Sequence, residues 1–136
     1  TNWTAPKIVA SNGGTLAFNV GGADQFTAAN IDLIMTNLGG SNAANEGFQA
    51  GSRLGLDTTN AVGGTFTQGN AIENSSGAGG GAIGLTKLGT GTLVLDKTNT
   101  FTGGTTINGG TLALSHSTNT LADSGAINVN GGTLSI

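Results

Sequence analysis

The fold of this 136-residue chain is decided by a short phrase, Asn108-Gly109-Gly110-Thr111-Leu112. The same phrase returns at 12–16 and 130–134, and looser copies occupy 62–66 and 89–93. In every copy a β-branched Thr leads into an apolar residue, which suits a strand, and the Gly before it suits a tight turn. A phrase that returns in this way predicts a repeat architecture.

Apolar residues alternate after each exact copy of the phrase. Leu112 and Leu114 stand at alternate positions, as do Leu134 and Ile136. A period of two places both members of a pair on one face of a strand. A second set of strand-like segments, 105–107 and 126–129, precedes two of the copies, so each period carries two strands.

The spacing of the copies indicates how the strands are arranged. Thr92, Thr111 and Thr133 each open a strand-like segment, and they follow one another at a nearly constant interval. That interval is about 20 residues, the size of one coil of a β-solenoid. Such coils stack roughly 4.8 Å apart and align their inward residues in apolar columns. About six or seven coils would fit if the whole chain coiled in this way.

A sandwich of β-hairpins also accounts for Asn-Gly turns, but it gives no reason for the nearly constant interval. We therefore predict an all-β fold, a parallel β-helix. We expect one domain over residues 1–136, with clear repeats in 79–136 and more irregular coils in 1–78.

One segment has a different period. Ile31, Ile34, Met35 and Leu38 form a helical stripe, with Thr27 as a predicted N-cap and Gly39 as a predicted C′ residue. We predict a short α-helix near 28–38 that packs on the side or the end of the solenoid and covers its apolar columns. The alternative is a helix that docks a partner. Segments 39–50 and 69–84 are predicted loops.

The charge content excludes several functions. Only 8% of the residues are charged, and the four cations Lys7, Arg53, Lys87 and Lys97 are scattered. A nucleic-acid partner requires clustered Lys and Arg, and so does electrostatic membrane attachment. Apolar runs reach only a few residues, so we expect no membrane insertion by a helix.

Candidate catalytic and metal-binding residues are few. The chain has no Cys, which excludes disulfides and thiolate zinc sites. His116 lies near Ser115 and Asp123 but lacks the motifs of a catalytic triad. The carboxylates Asp57, Asp96 and Asp123 are interpreted as solvated bend residues. We therefore predict no catalytic residues, no metal and no cofactor.

Two consecutive stretches, 84–95 and 99–112, resemble the autotransporter-associated β-strand repeat of bacterial passenger domains. The resemblance extends over 79–136 and is weaker upstream. It implies a right-handed parallel β-helix that is exported to the cell surface or beyond. It also implies a scaffold and export element that has no catalytic residues of its own.

The last strand of the sequence, 132–136, is as regular as those before it, and an open sheet edge is a template for another strand. We predict head-to-tail stacking of copies into a fibre, so that the partner is the protein itself. The pairing end residues would be Trp3, Ile8 and Val9 at one end, and Thr133, Leu134 and Ile136 at the other. The alternative is a segment of a larger adhesin or glycan-binding passenger, with surface glycans as partners.

Overall fold

The computed structural model describes residues 3–40, 42–115, 121 and 125–136. Within these residues it contains strands, one α-helix and a short 3₁₀ turn at Val62–Gly64. The helix, α1, spans Ala28–Gly39. The strands are β1 Val9–Ala10, β2 Thr15–Asn19, β3 Gly47–Phe48, β4 Arg53–Asp57, β5 Thr65–Gln68, β6 Gly84–Leu88, β7 Thr92–Leu95, β8 Thr105–Ile107, β9 Thr111–Leu114, β10 Ile127–Val129 and β11 Thr133–Ser135.

The strands form parallel sheets in which neighbours come from successive coils. One sheet has the order β2-β4-β6-β8-β10, the other has the order β5-β7-β9-β11, and β1 pairs with β3 in a small third sheet. Every strand pair in the described residues is parallel. The prediction of an all-β parallel β-helix is therefore confirmed, and the hairpin sandwich is wrong.

The coils differ in length. The strands of the larger sheet define the coils, so that the first to fifth coils contain β2, β4, β6, β8 and β10 in turn. Thr15 of β2 pairs with Arg53, and Arg53 pairs with Gly84, so the first two coils are long. The next two steps join Leu85 to Thr105 and Thr105 to Ile127, close to the interval that the sequence predicts. The described residues stack five strands in this sheet, fewer than the expected six or seven coils. The helix and the loops lengthen the first two coils.

The core consists of columns that run along the stack. In the larger sheet one column holds Phe18, Leu56, Lys87, Ile107 and Val129 in register. In the other sheet Phe66, Leu93, Leu112 and Leu134 are in register. The inner members of both columns are buried, and each buried aliphatic side chain contributes about 1.5–3 kcal/mol. Stacking of coils therefore supplies the core.

The helix forms where the sequence predicts it. Thr27 caps it, since the Thr27 hydroxyl accepts from the amide of Asn30 at 3.3 Å and the Asn30 side chain accepts from the Thr27 amide at 2.9 Å. Ile31, Ile34 and Leu38 are buried. Gly39, predicted as the first residue beyond the helix, is instead its last residue.

The helix lies beside the first strand of the smaller sheet. That sheet ends at β5, and the side chain of Asp32 in α1 accepts from Gln68 at the end of β5. The helix also contacts β3, a short strand inside the predicted loop 39–50. The helix is therefore packed against β3 and tied to the end of β5 by the Gln68–Asp32 hydrogen bond.

Candidate functional site

A groove of about 370 Å³ lies between α1 and the segment 70–76, which is part of the predicted loop 69–84. The helix lines it with Asp32, Met35 and Thr36, and the segment lines it with Asn70, Glu73 and Asn74. The sequence predicted the helix and the loop separately. The structure brings them together at the end of β5, where the segment begins.

The Asp32 carboxylate fixes the helix side of this groove. The side-chain amides of Gln68 and Asn70 each donate to one of its two oxygens. Gln68 is buried, so this carboxylate is tied to the end of β5 as well as to the groove wall. Sequence reasoning missed Asp32 because these partners lie far along the chain, beyond the reach of any local pattern.

The loop side of the groove is fixed by Asn74 and Asn99. The Asn74 side-chain oxygen accepts from the amides of Ile83 at 3.2 Å and Thr102 at 2.8 Å, and its nitrogen donates to the Thr102 hydroxyl at 3.0 Å. The Asn99 side-chain oxygen accepts from the Ile72 amide at 2.7 Å. The segment is therefore held against the following coils by specific hydrogen bonds.

Lys87 is fully buried inside the solenoid, between Leu56 and Ile107 in the same column. Its ammonium donates to the carbonyls of Leu88 at 2.6 Å, Gly89 at 2.9 Å and Gly109 at 3.2 Å. Burial lowers the pKa of Lys87, against the opposing effect of Asp57. This cation joins the corners of two coils.

Arg53 lies along the outer face of the larger sheet. Its guanidinium donates to the hydroxyls of Thr86 and Thr106, both at 2.9 Å, and to the Leu85 carbonyl at 2.9 Å. These partners belong to the third and fourth coils, whereas Arg53 belongs to the second. Arg53 and Lys87, two of the few cations of the chain, thus hold coils together.

The side chains considered for catalysis have separate local partners where the structure describes them. His116 and Asp123 lie outside them. Asp57 accepts from the Thr59 hydroxyl at 2.6 Å, which holds the pKa of that carboxyl below its ordinary value. Asp96 forms an exposed ion pair with Lys97 at 3.6 Å. In the described residues, we find no group of three or more His, Asp or Glu side chains that could hold a metal.

The predicted self-assembly residues lie at opposite ends of the stack. Trp3 and Ile8 are half-buried against the core at the first coil, while Val9 is exposed. Thr133, Leu134 and Ile136 belong to the last coil, where Ile136 is 97% exposed.

The aromatic side chains of Trp3, Phe18 and Phe26 cover the first coil. Their ring centroids are 5.0–6.2 Å apart in edge-to-face arrangements, which stabilise aromatic pairs beyond simple burial. At the last coil, Ile127 and Val129 are 44% and 49% exposed. Phe18 and Val129, the two outermost members of one column in the described residues, therefore differ in burial.

No helix in the described part of the chain has the length and apolarity needed to cross a membrane.

Comparison with known proteins adds two findings. Residues 85–114 match the family model described as passenger-associated-transport-repeat. The adhesin BmaC autotransporter of Brucella suis biovar 1 (strain 1330) is 34% identical over 103 residues, an alignment that covers 71% of this chain and 3% of the adhesin. No solved structure matches the chain. The resemblance drawn from stretches 84–95 and 99–112 is thereby confirmed.

Proposed function

We propose, from the premise that the chain carries an autotransporter passenger repeat over residues 85–114, that it serves as a stiff segment of a passenger displayed outside a bacterial cell. The similarity to an autotransporter adhesin supports this placement. The alignment covers 3% of that adhesin, so adhesion is attributed to the relative and is not part of the role proposed for this chain. The role proposed for this chain is mechanical support and display.

The observation that carries the proposal is the register of the two main sheets. Every coil in the described residues pairs residue for residue with the next one, and the inner columns stay continuous through the stack. Arg53 and Lys87 add bonds between coils. Such a stack resists bending because each coil is hydrogen-bonded to its neighbours along the axis.

The exposed edge of the last coil fits this role. Ile127 and Val129 lie in the same columns as residues that are buried one or two coils earlier. Their burial requires one more coil on top. We propose that a further coil of the same passenger occupies this edge, with its strands parallel and in register.

A second candidate is the head-to-tail fibre, in which the first coil of another copy occupies that edge. The exposure of Ile127, Val129 and Ile136 favours it as well. In this case the first-coil residues Trp3, Ile8 and Val9 would contact the last-coil residues Thr133, Leu134 and Ile136 of the neighbouring copy. Coverage of the first coil by its aromatic cluster makes this contact less complete than a true extra coil.

Addition of one coil separates the two candidates. A second copy of residues 115–136, appended after Ile136, continues the register that joins Thr111 to Thr133. We expect a higher melting temperature, because Ile127, Val129 and Leu134 become buried. A matched chain whose appended copy carries Asp in place of its inward apolar residues serves as the control.

The unextended chain is also measured, at high concentration, by sedimentation and electron microscopy. Monomers in sedimentation, together with stabilisation by the added coil and none by the control, support the passenger segment. Rods in electron micrographs that disappear in Val129→Lys support the fibre. An appended coil that is digested by protease as readily as the control contradicts the passenger segment.

A further inference from the structure

We propose that the groove between α1 and residues 70–76 binds a neutral saccharide. This inference rests on the proposed display of the chain outside the cell, where such ligands occur. It gives a location, between the helix and the predicted loop 69–84, to the glycan-binding alternative that the sequence left open.

The shape of the groove fits a small ligand. Its volume of about 370 Å³ is near the lower end of the roughly 300–1,000 Å³ found for small-molecule sites. One wall is helical and the other is a loop segment, and the space between them suits a terminal sugar or a short glycan chain.

The chemistry of the lining favours hydroxyl groups. Asp32 and Glu73 offer carboxylate oxygens, Asn70 and Asn74 are amides, and Thr36 is a hydroxyl. A carboxylate oxygen accepts more than one hydrogen bond, so Asp32 keeps accepting capacity beyond its bonds to Gln68 and Asn70.

The groove also has an apolar surface. The Met35 side chain lies in its helical wall. It can pack against the carbon-bound face of a sugar ring, while the polar groups around it contact the hydroxyls. The lining therefore matches both faces of a saccharide.

The charge of the lining selects against acidic ligands. The described residues that line the groove include two carboxylates and no Lys, Arg or His. A sulfated, phosphorylated or sialylated glycan would meet like charge there, which is costly. The lining therefore favours uncharged sugars.

Both walls are fixed before any ligand arrives. Asp32 is held by two amide donors, Asn74 by its bonds to Ile83 and Thr102, and the helix by the buried Ile31 and Ile34. A preformed site avoids the entropic cost of ordering its side chains on binding. This distinguishes the groove from a loop surface that happens to be polar.

A divalent cation is the competing ligand, because it also takes oxygen donors. The two carboxylates of the groove lack a third acidic partner in the part of the chain that the structure describes. The test therefore also measures the binding of calcium and magnesium.

The test uses the full 136-residue chain and ¹⁵N-edited NMR spectra. The probes are galactose, mannose, N-acetylglucosamine, lactose and maltose, each titrated to millimolar concentration, and calcium and magnesium chloride in separate samples. We expect at least one sugar to shift the amides of residues 32–40 and 70–76. Glu73→Gln should weaken that sugar at least about fivefold, because one charge-assisted hydrogen bond is lost.

Glu46→Gln is the matched control. It makes the same chemical change at an acidic residue that does not line the groove, and it should leave the affinity unchanged. The proposal is overturned if no sugar shifts any amide, if the shifts lie elsewhere, if only the metal chlorides shift the groove, or if Glu73→Gln leaves the affinity unchanged. The extension experiment with residues 115–136 reports on the scaffold role by itself, so failure of one proposal is distinguishable from failure of the other.

Discussion

The members of one inward column differ in burial between the first and the last coil. Phe18 begins one column of the larger sheet and is 5% exposed, because Trp3 and Phe26 pack against it. Val129 ends the same column and is 49% exposed. The strands at both ends pair in the same parallel manner. The comparison shows that parallel pairing on one side does not bury an inward side chain. Burial also requires side chains that pack against it from the other side of its coil.

The largest expected effect comes from the two ends of that column. Phe18→Ala should lower the free energy of unfolding by about 3–5 kcal/mol, because it removes a buried ring from the aromatic cluster. Val129→Ala should cost less than about 1 kcal/mol, since half of its surface already faces water. Urea denaturation followed by circular dichroism measures both. Equal losses in the free energy of unfolding would show that the difference in exposure between Phe18 and Val129 does not determine their contributions to stability.

The smaller sheet offers a second pair. Leu112 is fully buried and Leu134, its partner in the next coil, is half-buried. Leu112→Ala should cost about 2–5 kcal/mol and Leu134→Ala less than about 1 kcal/mol. After the appended copy of residues 115–136 covers the edge, the cost of Leu134→Ala should rise toward that of Leu112→Ala. A cost that stays the same in the extended chain would mean that the added coil does not pack there.

The helix α1 depends on its N-terminal cap. Thr27→Ala removes a bond to the Asn30 amide and should cost about 0.5–2 kcal/mol. Thr36→Ala is the matched change within the helix, where the hydroxyl donates to the Asp32 carbonyl, and it should cost less. Thermal melts of the two variants make the comparison. A larger loss in Thr36→Ala would argue against the cap as a stabiliser of the helix.

The smallest effect concerns Lys87 and alkaline pH. Its pKa in the folded chain lies below its ordinary value, so the unfolded chain binds the proton more tightly. Stability should therefore rise as the pH passes from the folded pKa up to the unfolded one, and the protonated form carries a cost below that window. Lys87→Met should lose this alkaline rise. A parallel pH profile in both proteins, measured by urea denaturation, would show that Lys87 does not titrate in this way.

Some of these features were readable in the sequence. The recurrent phrase predicted the stacked coils, and the stripe from Ile31 to Leu38 predicted the helix with its Thr27 cap. Strand alternation also indicates the position of Lys87, because Leu85 and Lys87 share one parity and hence one face. Burial of Lys87 was nevertheless not predicted, because a charged lysine is expected at the surface unless it is paired.

Other features depend on long-range register, which local patterns do not carry. The groove depends on the hydrogen bonds that Gln68 and Asn70 donate to Asp32. These bonds were not predicted, because the insertions in the first two coils interrupt the regular spacing from which contacts between coils could be inferred. The recurrent phrase itself is not one structure. In 12–16 it opens β2 of the larger sheet with positive φ at Gly13, whereas in 108–112 it opens β9 of the smaller sheet with positive φ at Gly110. The same five residues therefore occupy two different corners of the coil.

The long and the short coils share one stacking register. The step from Thr15 to Arg53 is long and the step from Thr105 to Ile127 is short, yet both join strands that pair in parallel, residue for residue. Extra residues can therefore enter a coil between its strands while the strands above and below stay paired. The helix Ala28–Gly39 is one such insertion, a surface element added without any change in the pairing along the axis.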